Sequence, residues 1–164
     1  MTGRYVLVLF AVVFVAAASA ALASGSANLT GTIEAYRVVV ADKGVENFLP
    51  ADNARPKDTI EYRLVYTNTG DEPIKNVLIT DPVPIGTRLL QPTASWPKDG
   101  KVEFSVDGGK NFHPWPVMVK KTTLDGKHKM VEATPDMVTH IRWTVGEAIR
   151  PDDSITLSYR TVVK

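Results

Sequence analysis

Between Thr59 and Thr67 the side chains alternate. Ile60, Tyr62, Leu64 and Tyr66 point one way, and Thr59, Glu61, Arg63 and Thr67 the other. A period of two sends neighbouring side chains to opposite faces of an extended chain, so this stretch is predicted as a strand with one buried face. The pattern returns four times. Val77 and Ile79 alternate with Asn76, Leu78 and Thr80, and Val102, Phe104 and Val106 with Glu103 and Ser105. Ile141, Trp143 and Val145 alternate with Arg142 and Thr144, and Ile155, Leu157, Tyr159 and Thr161 with Thr156, Ser158 and Arg160. β-Branched and aromatic fillers suit a pleated, half-buried surface. An opening strand is predicted over residues 31–40, with shorter ones at 87–90, 117–120 and 129–133. No helical period is sustained anywhere beyond the first segment.

Turn chemistry separates these runs. Asn68-Thr69-Gly70-Asp71-Glu72-Pro73 joins two of them, and Asp107-Gly108-Gly109-Lys110 and Asp125-Gly126 read as hairpin turns. Pro151-Asp152-Asp153 precedes the last strand, and Pro82, Pro84 and Pro97 mark breaks, because proline cannot donate to a ladder. About seven to nine short strands predict an all-β fold, an antiparallel immunoglobulin-like Greek-key β-sandwich. A jelly roll or small barrel is the alternative. Two stretches are less regular. Residues 42–58 form a long connection, read as a strand-to-strand excursion packed by Phe48 and Leu49. Residues 112–137 are expected to add a hairpin to the basic sandwich.

The first segment fixes the compartment expected. Arg4 is the one charged residue before an apolar run from Tyr5 to Ala18, followed by small residues at Ala18-Ser19-Ala20 and Ala21-Leu22-Ala23. Basic start, apolar middle and small-residue exit read as a secretory signal peptide over residues 1–23, cleaved after Ala23. The alternative is a retained anchor helix, since the run approaches the roughly 20 residues that span a bilayer. The reading favoured is export to the periplasm or outside the cell, with residues 24–164 as a single domain. Of 19 basic and 18 acidic residues, only Arg4 falls in the leader, so the mature part is formally neutral. Nucleic-acid binding needs a basic surplus and a membrane-surface patch needs a basic cluster, so neither partner is expected. The chain contains no Cys. That excludes disulfide staples, thiolate metal sites and a Cys nucleophile, and an exported domain must then draw its stability from its core.

One stretch carries a family likeness. It runs Asp58-Thr59-Ile60-Glu61-Tyr62, then Tyr66-Thr67-Asn68-Thr69-Gly70-Asp71-Glu72-Pro73, then Ile79-Thr80-Asp81-Pro82-Val83-Pro84-Ile85-Gly86-Thr87. This resembles the bacterial surface-protein repeat known as domain of unknown function eleven, in which a strand leads to Tyr-x-Asn-x-Gly and a second strand closes on Asp-x-x-Pro-x-Gly-Thr. Residues 104–112, 141–146 and 149–153 are similar to its later hairpin and closing strand pair. The likeness spans about residues 33–163. It implies an immunoglobulin-like sandwich in exported envelope or surface proteins, often in tandem arrays, and no catalytic residues. Here there is one copy, Lys57 stands where Gly is frequent, and no hydrophobic tail follows, so a small soluble or assembled protein is expected.

Apart from the likeness, each signature residue has a structural reading. Asn68 can bond nearby backbone and hold a turn, and Gly70 is expected at positive φ. Asp81, at a strand end, is expected to accept local N–H groups. Pro82 and Pro84 fix an extended exit, and Gly86 reverses the chain. His113, His128 and His140 show no metal spacing, and no Gly-x-Ser-x-Gly elbow occurs. The turn acids Asp107, Asp152 and Asp153 are weak calcium candidates, with solvated turns as the reading preferred. Trp143 belongs to the core. Trp96 and Trp115 precede Pro and are candidate ligand or partner contacts, although plugging the sandwich ends is preferred. Both terminal strands could offer edges to a neighbour, but pairing within their own sheet is favoured. The function expected is a non-catalytic structural or protein–protein interaction module of the envelope or extracellular space, with no cofactor or metal. Its partner is another protein or a second copy. The alternatives are a filament or adhesin subunit assembled through edge strands, and a glycan- or calcium-binding module.

Overall fold

The computed structural model describes residues 28–91 and 93–164, so the predicted signal segment lies outside the described residues. Among the described residues ten strands follow one another: β1 (Leu29–Val40), β2 (Glu46–Pro50), β3 (Thr59–Asn68), β4 (Val77–Pro82), β5 (Thr87–Leu89), β6 (Lys101–Ser105), β7 (Met118–Thr122), β8 (His128–Glu132), β9 (His140–Val145) and β10 (Ser154–Val163). The described residues are all-β, and their strands pair antiparallel, as the alternation predicts. One sheet runs β2-β1-β3-β10-β5 and the second β4-β9-β6. β3, β4, β5 and β6 change sheet at each step, and β9 crosses back to β10. Over these steps the chain winds around one core, whereas the consecutive strands β1 and β2, and β7 and β8, pair directly. No helix among the described residues is long and apolar enough to cross a membrane.

The inward faces are those predicted. β3 supplies Ile60, Tyr62 and Leu64, β10 supplies Leu157, Tyr159 and Val163, and β9 supplies Ile141, Trp143 and Val145, all buried. Register aligns them across the large sheet: Tyr62 faces Tyr159 and Leu64 faces Leu157. The Trp143 indole N–H donates to the Ser95 carbonyl at 3.0 Å, so its one polar atom is satisfied inside the core.

Two expectations change. The connection over residues 42–58 contains a strand, β2, which pairs with Tyr36–Val40 of β1. Phe48 and Leu49 are exposed and do not pack a core. Phe48 lies on the outer face of the large sheet, where the Arg63 guanidinium sits 4.4 Å from its ring centre. The Asp107-Gly108 turn is also wider than a tight hairpin. Phe104 and His113 exchange backbone hydrogen bonds of 2.7 and 3.0 Å, enclosing the residues between them in a loop. The hairpin expected over residues 112–137 is present as β7 and β8, joined through Asp125-Gly126.

Both long terminal strands are flanked. β1 lies between β2 and β3, and β10 between β3 and β5. Because Leu64 is fully buried where the sheets meet, Leu64→Ala is expected to cost about 2–5 kcal/mol, read as a lower denaturant midpoint with an unchanged slope.

Candidate functional site

The signature residues form a frame. Asn68 ends β3 fully buried. Its side-chain amide donates to the Glu72 carbonyl at 2.8 Å and the Ile149 carbonyl at 2.9 Å, while its Oδ1 accepts the Gly70 N–H at 3.0 Å. One side chain therefore joins the turn after β3 to the segment before β10. Gly70 is not among the residues with positive φ, and its part here is that of a donor. Gly86 does have positive φ, at 83°. Its carbonyl accepts the Lys164 N–H, and the Pro84 carbonyl accepts both the N–H and the hydroxyl of Thr87.

Asp81 departs from expectation. Its carboxylate is buried and accepts the Tyr159 hydroxyl at 2.6 Å, a bond from one sheet to the other and not to local N–H groups. The Tyr159 ring stacks on Tyr62 with centres 5.1 Å apart and lies 6.1 Å from Trp143. Burial raises the Asp81 pKa above the ordinary carboxylate value, and the Tyr159 bond offsets part of that. Burial also pushes the Tyr62 hydroxyl up to about 12.

The remaining perturbed carboxylates are held by their neighbours. Asp107 accepts the backbone N–H groups of Asn111 and Lys110, the Asn111 side chain and the Ser105 hydroxyl, which keep its pKa well below the usual range. A carboxylate so saturated has little left to offer a cation. Asp152 turns the chain at φ 64° next to Asp153. Among the described residues no three His, Asp or Glu groups converge as a metal site would require. Arg160 grips Glu46 through both terminal nitrogens at 2.7 Å and Glu61 through Nε at 2.8 Å. That bond from Arg160 lowers the Glu46 pKa. Burial alone would raise Glu103, but Lys101 and Arg142 hold it low.

The two tryptophans separate. Trp115 is partly buried against the core, edge-on to Phe104 at 5.8 Å. Trp96 does not plug an end: it is 69% exposed, and its indole N–H donates to the Gly100 carbonyl at 3.2 Å. It walls a shallow groove of about 270 Å³ shared with Pro97, Lys98, Glu147 and the first residues of β10. Sequence reasoning singled out Trp96 but missed Lys98, Glu147 and Thr156, because nothing local marks residues that only the sheet order brings together. His113, His128 and His140 lie in three separate places: paired with Phe104, at the start of β8 and at the start of β9. Searches of family models, curated proteins and solved structures return no match to this chain.

Two outcomes follow from the carboxylates. In the native state Asp81 binds its proton more tightly than in the unfolded chain. As pH rises past about 4, the unfolded state deprotonates first and is favoured, and the loss levels off above the raised native value. Asp81→Asn removes this effect, so the stability of wild type relative to the variant is expected to fall across that window, measured as urea midpoints at a series of pH values. A difference that does not vary with pH contradicts the assignment. Asp107→Ala is expected to leave the sandwich folded while the amides of Lys110 and Asn111 exchange faster with deuterated water.

Proposed function

We propose that the chain is a non-catalytic β-sandwich module, exported to the periplasm or the extracellular space, that works by contact with another protein of the envelope. The observation carrying this reading is Trp96. A large aromatic side chain stands exposed beside a groove, on a frame whose perturbed carboxylates are each bonded internally. Exposed tryptophans with a rigid surround are favoured anchors in protein interfaces. The likeness to domain of unknown function eleven and the leader at residues 1–23 support the same compartment and role.

Assembly of copies through sheet edges is a second reading, favoured by one feature. β4 is the outer strand of the smaller sheet, and Leu78 on it is 58% exposed. Pro82 blunts one end of that edge, since it has no N–H to offer.

The test is made in the cells that produce the protein, with benzoylphenylalanine at position 78 or 98. The exported protein is expected to begin at Ser24 and to yield, from position 98, one discrete light-induced adduct with another protein. An adduct of twice its own mass from position 78 selects the assembly reading instead. A protein retaining residues 1–23, or one forming no adduct from either position, overturns the proposal.

A further inference from the structure

We propose that the edge of β10 beside Trp96 is a strand-addition slot, which takes an extended peptide segment of a partner protein. The inference rests on the contact reading above and gives it a site and a partner chemistry.

In an antiparallel strand, the backbone groups of alternate residues face opposite neighbours. Along β10 the odd-numbered residues face β3. The Asp153 carbonyl accepts the Asn68 N–H, and Val163 bonds Lys57 and Asp58. The even-numbered residues face the other side. There Lys164 bonds Gly86, the Arg160 carbonyl accepts the Leu90 N–H, and the Arg160 N–H donates to the Thr93 hydroxyl. Ser158 bonds Ser95 through both its carbonyl and its N–H. The chain running beside β10 then departs. Trp96 turns out to bond Gly100, and Pro97 has no N–H with which to continue a ladder.

By the same alternation the N–H and C=O groups of Thr156 and Ser154 face this side, and neither residue's backbone groups have a hydrogen-bond partner there among the described residues. Both residues are exposed, and both line the groove that Trp96 walls. The ladder is thus complete to Ser158 and open for one further strand repeat, about 7 Å.

What fits is another extended backbone. It meets a donor and an acceptor at each of two alternate residues, and its side chains meet Trp96 and Pro97 within the slot and Lys98 and Glu147 at the rim. A sugar stacked on Trp96 would not reproduce the two-residue spacing of those backbone groups. The segment expected is about three residues in strand conformation with an apolar side chain against the indole.

The test uses the mature protein and linear heptapeptides displayed on phage as the probe. In the free protein the Thr156 amide is expected to exchange with solvent orders of magnitude faster than that of Leu157, which faces β3; equal protection overturns the slot. Panning is expected to recover peptides that slow Thr156 exchange on binding and shift the Trp96 indole resonance. Their affinity is expected to fall at least about tenfold on Thr156→Pro and on Trp96→Ala. Thr156→Pro removes an N–H that no described residue uses, so the sandwich is expected to survive it; should it not, Trp96→Ala and the exchange measurement decide. Failure to recover any peptide, or binding that ignores both substitutions, overturns the slot but leaves the contact module standing on its cross-linked adduct. A dimer that Thr156→Pro disperses overturns the assignment of a separate partner. Oligosaccharide binding lost with Trp96→Ala, in place of peptide binding, overturns both.

Discussion

Tyr159 joins the two layers. It belongs to the five-stranded sheet, where its ring stacks on Tyr62, and its hydroxyl crosses to Asp81 on the smaller sheet. The indole of Trp143 packs beside it. A sandwich core is held mainly by apolar burial, which is tolerant of sliding. A short hydrogen bond to a buried carboxylate is not, because a misaligned pair would leave Asp81 charged and unpartnered in a low dielectric. The bond therefore selects one relative placement of the two layers, within a core held by the burial of Ile60, Leu64, Ile141 and Val145.

The sheets are unequal, and much of the surface follows from that. A three-stranded layer cannot cover five strands, so β1 and β2 extend past it, leaving Ile33, Val39 and Leu49 partly exposed on the inward side. On the outer side the same strands carry Tyr36 and Phe48 against Arg63, with Arg160 bridging Glu46 and Glu61. Cation–π contact and paired charge give this overhang a polar, ordered face where apolar packing is unavailable. A lone pair of strands would have marginal stability, and the arginines tie β2 to β3 and β10.

The Trp96 groove arises at the other margin for a related reason. β5 is three residues long, and the chain after it hugs β10 only as far as Ser95. Proline at 97 and the close approach at Gly100, where an added Cβ would overlap the Thr144 carbonyl, carry the chain away from β10. An open ladder and an exposed indole are thus by-products of the same departure.

The strands themselves were readable from the residues. Alternation located β3, β4, β6, β9 and β10 within a residue or two, because side-chain direction in an extended chain is a local property. Asn68 and Gly86 were legible as turn residues, whereas Asp81, read as a local acceptor at a strand end, bonds across the sheets instead. The distant partners of Asn68 and Asp81 were not legible, because Ile149 and Tyr159 lie about 80 residues away. β2 escaped because its Glu46-Asn47-Phe48-Leu49-Pro50 has no buried face to impose a pattern. Nor could composition separate Trp96 from Trp115, since each precedes proline and only the course of the neighbouring chain decides which is covered. By itself the sequence determined which segments with a buried face extend and which face of each is apolar, for these follow from covalent geometry and transfer from water. Tertiary structure alone decided which strands neighbour one another. It thereby decided which backbone groups are left without a partner, because pairing joins residues with no proximity along the chain.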